Sequence, residues 1–543
     1  MYDYIIVGGG SAGCVLADRL TKDRTNQVLL LEAGPKDWNP FIHMPAGVAD
    51  MIKRPWANWQ FNTAPEKEMA GRRMYWPRGK ALGGSSSING MIYIRGNRWD
   101  YDHWAELGNK GWSYADVLPY FKRSECYQGT PSAYHGASGP LKVSQLNESN
   151  TSNELFTAFI EAGKQAGYPT TGDFNGGQQE GVGWYQTTIN EGRRQSSAVT
   201  FLKEAKGRSN LTITTNAQVT RVLMEDRKAT GVEFVDKRSN KHQIKANKEV
   251  LLAAGVCQSP HLLMLSGIGA EDALNKHGIK LVHHLPGVGE NLQDHLDVAI
   301  QHHCTQPITL YKQMKPLAQF RTAIKYALTK KGLGATQGLE SGGFLRTDPS
   351  LDLPDVQYHF VSAFMLNHAR ELGPGHGFML HGCQLRPESR GFIGLNSADP
   401  FDAPLIQPNY LTAQKDIDVQ VRCIKQAREI FSQPAFDPYR GDEFRPGSSI
   451  QTDEQIEDYI RQYGETIYHP VGSCKMGQDE MAVVDTECRV RGVDGLRVVD
   501  ASVMPTLIGG NTNAATLMIA ERISDQLLGL AFLQPVQTED VTA

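Results

Sequence analysis

Tyr4-Ile5-Ile6-Val7 is a short apolar run rich in β-branched residues, the pattern of a strand buried on both faces in a parallel sheet. Gly8-Gly9-Gly10-Ser11-Ala12-Gly13 follows without a gap. Beyond it, Cys14, Val15, Ala17 and Leu20 recur at the spacing of one helix face, and Val28 to Leu31 is a second apolar run with Glu32 at its end. The pattern predicts a βαβ unit. Further buried strands are predicted at 250–254 and 496–499, and the alternation in Asp355-Val356-Gln357-Tyr358-His359-Phe360 predicts another. The glycine-rich stretch 332–342 and the Pro/Gly-rich stretch 372–377 read as loops beside a pocket or an interface. No internal repeat or low-complexity tract interrupts the chain.

The glycines of the first turn have separate physical tasks. Gly8 permits the tight turn, Gly10 lets main chain approach a pyrophosphate, and Gly13 allows the helix to pack closely on the strand. The helix then offers free N–H groups to phosphates. Glu32 stands where a carboxylate accepts hydrogen bonds from ribose hydroxyls. Gly181-Val182-Gly183, Gly267-Ile268-Gly269 and Gly287-Val288-Gly289 each lack the third glycine. The residues therefore predict one dinucleotide site and leave FAD or NAD open.

Composition narrows the function classes. The chain has 543 residues, 40% hydrophobic and 21% charged, which excludes a disordered or fibrous protein. It is long enough for about three to four domain-sized units. With Lys+Arg 55 against Asp+Glu 59, the net charge of −4 gives no field for nucleic acid. No apolar stretch has the length of a membrane span. Met1-Tyr2-Asp3-Tyr4 lacks the basic start of a secretory signal, so the expected location is cytoplasmic, with peripheral contact at the inner face of a membrane left open. The eight cysteines show no CxxC spacing and are expected to be buried thiols in a reducing compartment. No HExxH occurs among the sixteen histidines, and no metal site is expected. His283, His284, His295, His302 and His303 read as surface or sheet-edge residues.

Longer motifs carry a resemblance. The stretch 79–89, Gly-Lys-Ala-Leu-Gly-Gly-Ser-Ser-Ser-Ile-Asn, is similar to the first signature of the glucose–methanol–choline (GMC) oxidoreductases. Gly255-Val256-Cys257-Gln258-Ser259-Pro260, running on to Ser266-Gly267-Ile268-Gly269, resembles the second. Tyr468-His469-Pro470-Val471-Gly472 and Gly510-Asn511-Thr512-Asn513 resemble the active-site segments, and the likeness runs from residue 2 to about 530. Within the family, choline dehydrogenases and aliphatic alcohol dehydrogenases of bacteria are the most similar members.

The resemblance implies an α/β fold: a Rossmann-like FAD-binding domain with a mixed α+β substrate domain on a large antiparallel sheet. The FAD domain is expected over 1–155, 195–297 and 465–530, the substrate domain over 156–194 and 298–464, and a frayed tail over 531–543. FAD is the implied cofactor. Gly8, Gly10, Ser11 and Gly13 are implied at its pyrophosphate, and Glu32 and Ala33 at the adenosine ribose. Gly83, Gly84, Ser85, Asn89 and Gly90 are implied against the flavin, Val219 at the adenine, and Asp500 and Ala501 near the pyrophosphate and ribityl chain. Some members bind flavin covalently through a histidine; the matching residue is Ile88, which implies non-covalent FAD.

Flavin-dependent alcohol oxidation needs a base for the hydroxyl proton and a group to hold the oxygen. The resemblance assigns these roles to His469 and Asn513. Proline follows two residues after the partner in many relatives, whereas this chain has Ala515. Tyr468, Trp59 and Glu340 are the implied substrate contacts; Glu340 matches a glutamate that faces the trimethylammonium group in choline-oxidising relatives. Tryptophans are confined to the stretch from Trp38 to Trp184, so an aromatic cage for a quaternary cation is thinly supplied. The expected substrate is an uncharged primary alcohol, aliphatic or aromatic, with choline second and a non-redox lyase or photodecarboxylase as the alternative of another class. A quinone-like compound or oxygen is the expected electron acceptor.

Overall fold

The computed structural model describes residues 1–368 and 370–537. The opening pattern forms the strand Tyr2–Val7, the helix Ser11–Leu20 and the strand Val28–Glu32. The two strands pair in parallel, Tyr4 opposite Val28 through Val7 opposite Leu31. Leu211–Thr215 adds in parallel beyond Val28–Glu32, and Lys241–Leu252 beyond Tyr2–Val7. Leu496–Val498 pairs in parallel with Val250–Leu252.

The strand Lys241–Leu252 serves two environments. Its last three residues are buried in the parallel sheet, whereas its first five pair antiparallel with Lys228–Val235 and are largely exposed. Gln218–Glu225 completes this meander. The helix Ser11–Leu20 packs against Ser197–Ala205 and Asn513–Leu527. The last helix is therefore buried over most of its length, and its first residue, Asn513, is carried to the start of the first.

A second sheet is antiparallel throughout. Its order is Arg440–Arg445, Leu296–Cys304, Gly377–Gln384, Val356–Val361, Ser341–Leu345, Gly181–Trp184. Glu465–Thr466 pairs with the start of Leu296–Cys304. The alternation at 355–360 is real, yet every residue of Val356–Val361 is buried. Tyr358 turns to the helix Gln414–Ser432, where its hydroxyl donates to the Cys423 carbonyl at 2.8 Å. His359 and Val361 turn the other way and line a cavity. The polar face of this sheet is thus the wall of a cavity rather than a solvent face.

The predicted loop at 332–342 has one helical turn, Leu333–Ala335, before the strand Ser341–Leu345. The stretch 372–377 is only partly a loop, because Glu371–Leu372 pairs with Met365–Leu366. The tail is not frayed over 531–537: Leu533 N donates to the Tyr120 hydroxyl at 2.9 Å and Val536 N to the Ala115 carbonyl at 3.0 Å. Residues 538–543 of that expectation lie outside the described residues. All eight cysteines are buried and unpaired. Among the described residues, no helix is long and apolar enough to cross a membrane.

Candidate functional site

One cavity runs from the loop after Tyr2–Val7 to the inner face of the antiparallel sheet. At its first end the glycines behave as their spacing predicts. Gly8 has φ +103°, and a Cβ on it would lie 2.5 Å from the Ala253 carbonyl oxygen. A Cβ on Gly13 would lie 1.9 Å from the Gly8 carbonyl oxygen, so only glycine lets the helix approach the strand. A Cβ on Gly10 would meet nothing closer than Gly84 Cα at 3.8 Å. Gly10 also caps the helix without a side-chain partner, leaving the first N–H groups free at the cavity. These features fit the pyrophosphate of the implied FAD.

Glu32 is buried on the same wall, accepting from Gly9 N at 2.8 Å and Gly34 N at 2.7 Å. Burial pushes its carboxyl up to about 7, against those two N–H groups. Each oxygen keeps a lone pair for a ribose hydroxyl. Ala33, Ala217 and Val219 continue the lining, and Ser11, Asp500 and Ala501 face it from the other side. Asp500 is fixed by Gly255 N at 2.8 Å and Ser259 Oγ at 2.6 Å.

The loop 83–90 forms a further wall through Gly84, Ser85, Ile88, Asn89 and Gly90. Gly84 is pressed against Gly10, where a Cβ would come within 2.6 Å of Gly10 Cα. Gly83 is not on the wall; its N–H donates to the Gly9 carbonyl at 2.7 Å and braces the first turn from behind. Asn89 Oδ1 accepts from the buried Arg194 guanidinium at 2.8 Å. Ile88 faces the cavity with an apolar side chain that carries no nucleophile.

His469 lies deeper in the cavity. Its backbone N–H donates to Asp294 Oδ1 at 2.8 Å, and Asp294 Oδ2 accepts from the Tyr410 and Thr466 hydroxyls, both at 2.5 Å. The preceding residue, Tyr468, has φ +71°, a left-handed conformation held by Arg78 donating to its carbonyl at 2.9 Å. The ring is fixed by a chain of hydrogen bonds. His295 Nε2 meets the Leu385 carbonyl at 3.0 Å, which can only accept, so that nitrogen carries the proton. Neutral His295 then presents a bare Nδ1, and His469 Nδ1–H donates to it across 3.0 Å. His469 Nε2 is left with its lone pair, which accepts from Asn511 Nδ2 at 2.9 Å. Gln357 Nε2 donates to Asn511 Oδ1 at 3.1 Å and sets that amide. Burial, then His295, His359 and Arg78, hold the His469 ring well below its ordinary value. A neutral imidazole whose Nε2 lone pair meets only the Asn511 amide can take a hydroxyl proton once a substrate displaces that contact.

Asn513 lines the same cavity, but its Oδ1 accepts from Ser11 Oγ at 2.7 Å. The amide in contact with His469 is that of Asn511. Asn511 and His295 are the residues that sequence reasoning passed over. His295 is fully buried at the site rather than at the surface, a correction that sequence density could not supply. Its signal was local: it stands beside Asp294 at the start of a strand.

The far end of the cavity carries charge. Asp297 and Glu465 sit directly opposite each other on paired strands, and both line the wall with His359, His368, His381 and Tyr468. Asp297 Oδ2 accepts from His381 Nδ1 at 2.5 Å, whereas its buried Oδ1 has no partner. Burial opposes the His381 imidazolium, but Asp297 outweighs it and raises His381 above its ordinary value. Burial pushes Glu465 up to about 7, with Arg72 opposing and Asp297 adding to the rise. His368 Nδ1 meets the Tyr468 hydroxyl at 2.8 Å.

One of the expected substrate contacts differs. Glu340 is not on the cavity wall; its carboxylate accepts from Thr151 Oγ1 at 2.6 Å, Ser152 N at 2.8 Å and Thr336 Oγ1 at 2.5 Å. Those three donors tie down a loop crossing, and Leu339 rather than Glu340 lines the cavity just before the strand Ser341–Leu345. Trp59 does line the cavity, but Lys80 Nζ already covers its ring at 4.1 Å.

Comparison with known proteins agrees with this geometry. The GMC oxidoreductase family matches residues 2–297 with its amino-terminal part and residues 387–520 with its carboxy-terminal part. Mitochondrial choline dehydrogenase of Homo sapiens is 48% identical over 97% of this chain and 90% of its own. Oxygen-dependent choline dehydrogenase of Vibrio vulnificus is 47% identical over 99% of this chain and 96% of its own. Among solved structures, pyridoxine 4-oxidase from Mesorbium loti superposes with a TM-score of 0.89 at 31% identity, covering 98% of this chain and 100% of that one.

Proposed function

The chain belongs to the GMC oxidoreductases, and from that premise we propose that it oxidises a cationic primary alcohol of the choline type to the aldehyde. This reverses the order expected from sequence, which put uncharged alcohols first. The observation that carries the reading is the unpartnered, buried Asp297 Oδ1 on the cavity wall, with Glu465 opposite it. A carboxylate oxygen without a partner is costly in a neutral pocket and favourable beside a quaternary ammonium. The likeness to choline dehydrogenases supports the same substrate class.

FAD, held without a covalent bond, supplies the hydride acceptor. The chain's own residues do the rest. Gly10, Glu32 and Asp500 would hold the dinucleotide, and Ile88 adds an apolar side chain to the same cavity wall. Asp297 and Glu465 hold the ammonium end of the substrate. His469 Nε2 takes the hydroxyl proton, and its tautomer is kept by His295. The amides of Asn511 and Asn513 hold the oxygen as negative charge develops on it. The electrons leave to a quinone-like acceptor or to oxygen.

Asp297→Asn tests the reading. KM for choline is expected to rise by about tenfold or more, the cost of losing one close charge partner in a screened site. KM for 3,3-dimethylbutan-1-ol, the uncharged isostere, is expected to hold within about twofold on the same principle. Flavin content serves as the control for folding. An unchanged KM for choline would remove Asp297 from recognition.

A further inference from the structure

The helix Pro316–Thr329 is built inside out. Tyr326 is its only buried residue, and the Tyr326 hydroxyl donates to the His43 carbonyl at 3.1 Å. At 100° per residue, Leu317 lies about 180° round the helix from Tyr326. Leu317, Phe320, Ile324 and Leu328 form one stripe on that outward side, and they are 64%, 64%, 45% and 81% exposed. A surface helix of a soluble protein normally turns such a stripe inward. Here the apolar stripe faces out and the helix is held from its other side.

The charge around the stripe has one sign. Lys312, Lys315, Arg321, Lys325, Lys330 and Lys331 fall in the stretch 307–339, which contains no Asp or Glu. Among the described residues, none of these six lies within ion-pair distance of a carboxylate. The chain as a whole carries a net charge of −4, so this local excess of +6 is a segregated patch. An outward apolar stripe flanked by unpaired lysines and arginine is the combination that seats a helix in the headgroup layer of an anionic bilayer.

Position adds a third observation. The segment leaving the helix supplies Gln337, Gly338 and Leu339 to the cavity wall. The turn Leu333–Ala335 packs on Pro45–Gly47, next to Val48, Ala49 and Ile52 of the same wall. We propose that Pro316–Thr329 is a monotopic membrane-docking helix that seats the enzyme on an anionic lipid surface beside the mouth of its cavity. The inference stands apart from the choice of alcohol: it needs only the outward stripe and its charge.

The test uses the flavin-loaded full chain and sedimentation with lipid vesicles. At low salt the protein is expected to co-sediment with phosphatidylcholine vesicles containing about a third phosphatidylglycerol, at least about tenfold more than with phosphatidylcholine alone. High salt should weaken the binding. The double substitution Phe320→Asp, Leu328→Asp should reduce it by about tenfold or more, with the flavin spectrum and turnover of a soluble dye acceptor unchanged. Wild-type protein that stays in the supernatant, or a double variant that sediments as well as wild type, would overturn the proposal. A wild-type dimer that the double variant dissolves, with no vesicle binding, would overturn it too and assign the face to a second copy of the chain.

Discussion

His469 is ready to act as a base because four neighbours agree on where its proton sits. The Leu385 carbonyl fixes His295, His295 takes the Nδ1 proton of His469, and Gln357 turns Asn511 so that its NH₂ meets Nε2. A substrate hydroxyl need only displace the Asn511 contact to find the lone pair. His469→Ala is therefore expected to slow flavin reduction by about 10²-fold or more, the usual scale for a lost acid–base group. Stopped-flow reduction under anaerobic conditions measures this, and near-wild-type rates would take His469 out of the chemistry. The motif Tyr468-His469-Pro470 made His469 legible from sequence. Asn511 was hidden by its neighbour: two asparagines stand two residues apart in one turn, and only coordinates show that Asn511 meets the His469 ring while the Oδ1 of Asn513 accepts from Ser11.

The element on which the proposed substrate choice rests is the short pairing of Glu465–Thr466 with Leu296–Cys304. It sets Asp297 opposite Glu465, where two carboxylates repel. Burial, with that repulsion, holds Glu465 at about 7 rather than 4.5. The sign follows directly. In the folded protein Glu465 is neutral below about 7 and ionised above it, whereas an unfolded chain ionises it from 4.5. The pair thus costs stability increasingly as pH rises between those values, and a bound cation relieves the cost. KM for choline is expected to fall by several-fold from about pH 6 to about pH 8, while KM for the neutral isostere stays level. A flat profile for choline would mean that Glu465 does not face the cation. Most of this element was illegible in sequence. Alternation at 355–360 announced a strand, but not that its polar side lines a cavity, and Glu340 matched a family glutamate by motif although its side chain is tied to Thr151, Ser152 and Thr336 away from that cavity. The first βα turn was legible almost residue by residue, because Gly8 and Gly13 answer to local clashes of 2.5 and 1.9 Å that any chain must avoid.

At the scale of the whole molecule, the two sheets divide the work. The parallel sheet brings the ends of Tyr2–Val7, Val28–Glu32 and Leu496–Val498 to one side of the cavity, where main-chain N–H groups and carboxylates would meet a dinucleotide. The antiparallel sheet closes the other side with histidines and two carboxylates. His469 and Asn511 reach the junction from the carboxy-terminal stretch, and the last helix locks that stretch against the first. We propose that the second sheet holds a cationic alcohol and that the first would hold the FAD that supplies the hydride acceptor. Anaerobic titration of the purified protein, followed through the visible flavin band, tests it most directly. Choline should bleach the band with one aldehyde formed per flavin, faster than 3,3-dimethylbutan-1-ol, hexanol or benzyl alcohol. A band that those neutral alcohols bleach while choline leaves it intact would contradict the claim.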